Sequence, residues 1–198
     1  MRTRLIAVLL GWVPGAALQA QDGGTPPLRA TGQIAAAVLA APPEFRATAT
    51  VLGYGADGTL RTLREGSGGM ICLAPNPAEK DFHVACYHRS LEPFMARGRA
   101  LRAQGLKGEQ VDSARFAEVR AGSLPMPGQA AALYQLFGKP GSFDPATGTA
   151  TGAQSLFVIY VPGLTPEASG IPETPADDVP WIMSAGTPRA HIMFVPKM

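Results

Sequence analysis

Two cysteines, three histidines and one serine in a glycine-rich stretch are the residues whose types and spacing offer chemistry. Cys72 and Cys86 lack the Cys-x-x-Cys spacing of redox couples and thiolate metal sites, and an oxidising compartment converts such an isolated pair into a disulfide. The segments 69–73 and 82–87 read as short strands, and Pro75 and Pro77 keep the stretch between them from pairing. Folded as a hairpin, they set Cys72 opposite Cys86. His191 and Met193 are two apart and share one face of a strand, whereas His83 and His88, five apart, face opposite ways. His88 falls on the Cys86 face, opposite Met70. Imidazole suits copper and zinc, and thioether suits copper, so one expectation is a copper-like or zinc site on His191 and Met193, completed by His88 or Met70. Core packing is the competing use of the same methionines, and a hydrogen bond the competing use of the histidine.

Ser67 lies in Gly66-Ser67-Gly68-Gly69. A nucleophile elbow needs Gly-x-Ser-x-Gly, and Glu65 occupies the first glycine position. A serine hydrolase using Ser67 with His191 is therefore a further expectation, set against a flexible turn that explains the same glycines. Gly186-Thr187-Pro188 is a turn and not a phosphate loop, because no Gly-Lys-Ser/Thr follows it.

The start of the chain decides where such chemistry takes place. Arg2 and Arg4 precede an apolar stretch from Leu5 to Val13, and small residues follow up to Ala20. This is the grammar of a secretory signal over residues 1–20 with cleavage after Ala20. The stretch is shorter than the roughly 20 residues of a spanning helix, and no later segment qualifies, so stable membrane insertion is not expected. The product is expected to be periplasmic or secreted. Seventeen basic and fifteen acidic residues become fifteen of each once Arg2 and Arg4 leave. A neutral chain has no long-range field to gather phosphate backbones, so nucleic acid is not an expected partner.

The elements that must position these residues follow from periodicity and breakers. Residues 21–30 read as a loose tail. Thr31 caps a helix through Ile34, Val38 and Ala41, which Pro42-Pro43 ends. The alternation over 45–51 predicts a half-buried strand, and Asp57-Gly58 turns it into a partner over 59–64. With the cysteine hairpin this makes a four-stranded antiparallel meander over 44–88. Helices are predicted over 91–103, 111–120 and 129–137. The β-branched run 155–161 predicts a strand buried on both faces. A Pro-rich loop over 162–180 leads to a last hairpin from 181–183 and 190–195. The sum is one α+β domain over 31–198, an antiparallel sheet (meander plus C-terminal hairpin) with short helices packed on one face.

Three segments carry a resemblance: Leu63-Arg64-Glu65-Gly66, Gly69-Met70-Ile71-Cys72, and the run from Trp181 to Met193 that contains Gly186-Thr187-Pro188-Arg189-Ala190-His191-Ile192-Met193. They resemble a group of uncharacterised exported bacterial proteins that end in Gly-Thr-Pro-x-Ala-His-Ile/Leu-Met. The resemblance implies a shared architecture, draws attention to His191 and implies no chemistry. The expectation is an exported, non-catalytic globular protein without a cofactor, binding a partner or small ligand through its sheet and Pro-rich loop. A metal-binding protein built on His191 and a hydrolase built on Ser67 are its alternatives.

Overall fold

A computed structural model describes residues 28–176 and 178–196. The signal segment, Ala20 and the first part of the tail lie outside the described residues. The chain begins with α1 (Ala30–Ala37), a 3-10 turn (Val38–Ala40) and α2 (Pro43–Arg46). Strands β1 (Thr50–Tyr54), β2 (Leu60–Arg64), β3 (Met70–Leu73) and β4 (Phe82–His88) follow. Then come α3 (Glu92–Ala103), α4 (Glu109–Arg120) and β5 (Ala131–Gly138). The small hairpin of β6 (Phe143–Asp144) and β7 (Thr149–Ala150) precedes β8 (Gln154–Tyr160). After α5 (Pro166–Ser169), β9 (Trp181–Met183) and β10 (His191–Phe194) close the fold. The class is α+β, with an eight-stranded, mostly antiparallel sheet in the order β2-β1-β3-β4-β5-β8-β10-β9. Among the described residues no helix is long and apolar enough to cross a membrane.

The first four strands are not a meander. The β1–β2 hairpin turns at Gly55–Thr59, where the Gly55 and Thr59 backbones bond (2.9 Å) and Gly58 takes φ 73°. It places β2 at the sheet edge, so β3 pairs on the other side of β1 and runs parallel to it. The connection from β2 to β3 passes across the start of β1. A Cβ at Gly66 would strike the backbone of Thr48 and Ala49, which is why that turn is glycine-rich. The 45–51 strand starts late, at Thr50, because Pro43 opens a helical turn. Arg46 then closes the preceding turn, its Nε and Nη2 donating to the carbonyls of Ala41 (2.8 Å) and Leu39 (3.1 Å).

The predicted helix over 129–137 is strand β5. Its Ala and Leu residues favour helix in isolation, but the segment pairs with β4 along one edge and β8 along the other. Helices 91–103 and 111–120 are present as α3 and α4. The disulfide is present as well: Cys72 and Cys86 are register partners joined at 2.08 Å and fully buried. Closing a loop of that size stabilises the fold by roughly 3 kcal/mol through the unfolded chain.

Helices expected on one face of the sheet occupy both. Neighbouring strand residues point oppositely, and both faces of β4 are apolar. Cys86, with Val51 and Cys72, packs under Ala37 and Ala41 of the α1 layer. Tyr87, with Leu133 and Val158, packs under Leu91 and Phe94. Gln33 fastens α1 to the sheet: its side chain accepts from the Tyr54 N–H (2.7 Å) and donates to the Tyr54 carbonyl (2.9 Å), as a neighbouring strand would.

Candidate binding face

The sequence-predicted site residues are not brought together. His88 lies on the Cys86 face, in register with Met70 as expected, and its Nδ1 accepts from the Ser90 N–H (3.3 Å). His191 pairs with Tyr160, which pairs with Ala131, and so belongs to the Tyr87 face. Three strand steps, about 14 Å, and the thickness of the sheet separate the two imidazoles. Met193 shares the face of His191 but is packed into the core under α3 and α4. Ser67 is exposed at the β2–β3 turn, four strand steps from His191, so the two form no triad. Among the described residues no group of three or more His, Cys, Asp or Glu side chains is placed to hold a metal ion.

His191 instead belongs to a polar cluster between α4 and the last hairpin. Its Nδ1–H donates to the Arg189 carbonyl (2.6 Å), and its ring stacks on Tyr160 with centroids 5.1 Å apart. Asp112 accepts from Arg115 (2.6 Å) through one oxygen and pairs with Arg189 (2.7 Å) through the other. Arg115 is 4% exposed, lies 3.9 Å over the Phe94 ring and donates to the Phe94 carbonyl (3.3 Å). Burial lowers the His191 pKa, with the bond to the Arg189 carbonyl opposing and the Arg189 charge assisting. Burial raises Tyr160, against the pull of Arg189 and Arg115. Two guanidiniums share one carboxylate, so the field around His191 is positive and opposes a cation there. This cluster clasps α4 to β10, and its charges are committed to one another.

The opposite face of the same strands is different. The α1 layer covers the β1–β3–β4 half of the sheet and stops over Tyr134. Beyond it, Ile192 is in register with Ile159 and Phe194 with Phe157, a two-by-two apolar array on β8 and β10. Ile159 is 43% exposed and Phe194 39%. The strand 155–161, expected to be buried on both faces, is thus buried on one. No charged side chain stands on this face of β5, β8 or β10; Ala132, Tyr134, Leu136 and Ser155 share it, Tyr134 and Leu136 packed against the α1 side, and Ile182 of β9, in register with Ile192, is buried at its far edge. A cleft of about 320 Å³ between Leu39, Pro42, Pro43, Tyr134 and Phe157 joins the bare strands to the helical layer. That layer is itself apolar from Ile34 to Pro43, and the Arg46 guanidinium beside it is turned in to the Leu39 and Ala41 carbonyls.

Sequence reasoning missed both sites. The polar cluster depends on a contact between α4 and β10 that periodicity does not carry. The apolar face had a signal in the ten residues 34–43, which contain no polar side chain and so give a helix apolar on every side. No protein-family model, curated protein or solved structure matches the chain.

Proposed function

We propose that this is an exported, non-catalytic binding protein that works through the bare half of its sheet and the helical layer beside it. The observation that carries the reading is the uncharged array of Phe157, Ile159, Ile192 and Phe194, in which Ile159 and Phe194 stay exposed in a fold that buries the other face of the same strands. Contiguous exposed apolar surface of this kind marks interaction sites. A buried disulfide supports an oxidising compartment, and with it export. The hydrolase alternative has no support in the arrangement, because Ser67 and His191 stand four strand steps apart.

A photo-crosslinking side chain at position 159, compared with one at exposed Arg120, tests this in the exporting cell. The expected result is a discrete adduct from 159 and none from 120, on a chain recovered outside the cytoplasm and cut near Ala20. Equal labelling from both positions, or none from 159, overturns the reading.

A further inference from the structure

We propose a small-molecule site between the β1–β2 hairpin and α3 that takes a single negative charge carried on a hydrocarbon tail, the chemistry of a medium-chain carboxylate. It lies on the opposite side of the sheet from the apolar face described above, and it stands independently of the reading built on that face.

The apolar core beneath α3 ends at Ile71 and Leu73 of β3. Strands β1 and β2 lie beyond it. Their register sets Leu52 opposite Thr62 and Tyr54 opposite Leu60, and Leu52 is also level with Leu73. These four side chains therefore stand on the α3 side of the hairpin. Ala100 and Ala103 form the facing wall, and their short side chains leave room between the two. The cavity measures about 550 Å³, within the roughly 300–1,000 Å³ of small-molecule sites. Both walls are fixed. Gln33 holds Tyr54 at its N–H and its carbonyl, and Arg99 ties α3 to β4 by donating to the Tyr87 hydroxyl (2.9 Å). A wall already held in place spares a ligand the cost of ordering it.

The polar groups decide which ligand fits. Arg61, Arg99 and Arg102 line the cavity, and among the described residues no carboxylate does. Two of the three are answered from outside it. Glu92 accepts from Arg99 (2.6 Å), and the Asp57 carboxylate and Arg61 guanidinium both lie against Gly55. Among the described residues the Arg102 guanidinium has no carboxylate partner, and the Tyr54 hydroxyl has no hydrogen-bond partner. One unanswered positive charge and one unpaired hydroxyl match one anionic head. The tail of such a ligand gains by leaving water along Leu52, Leu60, Ala100 and Ala103. A neutral hydrocarbon would leave the charge unmatched, and a polyanion would exceed it.

Titration of decanoate into the isotope-labelled, disulfide-bonded exported chain, followed by amide chemical shifts, tests the site. Saturable shifts are expected at residues 52–62 and 99–103. Decanol keeps the tail without the charge, and acetate keeps the charge without the tail; each should bind at least about tenfold more weakly than decanoate. Arg102→Gln should raise the decanoate dissociation constant about fivefold and leave that of decanol unchanged. Ala103→Glu, which sets a carboxylate against that of the probe, replaces it should the first variant fail to fold. Decanoate shifts confined to 157–159 and 192–194 would put the tail on the apolar face and overturn this site. Equal affinity for decanol, no saturable shift, or a decanoate affinity unchanged in the folded variant overturns it as well.

Discussion

On one face of β4, β5 and β8 the side chains of Tyr87, Leu133 and Val158 meet Leu91, Phe94 and Leu124. On the other face of the same strands Tyr134 lies at the margin of the α1 layer, and Phe157 and Ile159 run out from under it. The covered face also holds the ionic groups: Arg99 with Glu92, Arg97 with Glu118, and Arg115 and Arg189 with Asp112. Among the described residues the opposite face of β5, β8 and β10 holds none. Burial and charge pairing thus complete one side within the chain, and the other is left apolar and unpaired, the composition of an interface core. Substitutions on the first side should act on folding, and those on the second on association.

The largest expected effect is at Asp112. Replacing it by Ala leaves the buried Arg115 and the half-buried Arg189 without their shared carboxylate. Removing one partner of a buried ion pair typically costs 3–5 kcal/mol, and the partial exposure of Arg189 places this case near the lower end, about 3 kcal/mol. Equilibrium urea unfolding of D112A measures it. A loss below about 1 kcal/mol would mean the cluster is open to water and the covered face is not closed.

Val158 and Ile159 sharpen the contrast within one strand. Val158 is 3% exposed against the α3 side, and its neighbour Ile159 is 43% exposed on the bare side. Val158→Ala should cost about 2 kcal/mol in transfer and cavity terms. Ile159→Ala should stay within about 0.5 kcal/mol when both are measured at low protein concentration. Equal losses under dilute conditions would show that this face is covered within the monomer.

Much of this arrangement was legible in the residues, and the failures have a common cause. The disulfide, α3, α4 and the last hairpin are local: a turn or cap sits beside the apolar pattern that defines them. The strand order was not legible, because β3 pairs beside β1 only after β2 has taken the edge. Strand β5 was read as a helix because Ala131, Ala132 and Leu133 favour one, and only partners on both edges reverse that preference. The pairing of His191 with His88 required a shared face, and register across four strands decides the face. The bare array was concealed by its own composition. A run as apolar as Ser155-Leu156-Phe157-Val158-Ile159-Tyr160-Val161 reads as buried on both sides, and nothing in it says which side lacks a cover.

The smallest expected effect tests how tightly the covered face is closed around His191. Its neighbours are Tyr160, Arg189 and, through them, Asp112 and Arg115. Burial holds its pKa below the ordinary 6.5. Above pH 6.5 the imidazole is neutral in the folded and the unfolded chain alike, and the fold keeps its full stability. As the pH falls below that value the unfolded chain takes up the proton first, so the unfolded state binds more protons and stability declines until the folded pKa is passed. The urea midpoint of the wild type should therefore fall below about pH 6.5 more steeply than that of His191→Gln, which has no proton to gain there. Parallel profiles would mean that the folded chain protonates His191 as readily as the unfolded one does. The clasp between α4 and β10 would then stand open to solvent, and the two faces of the sheet would differ in charge without differing in closure.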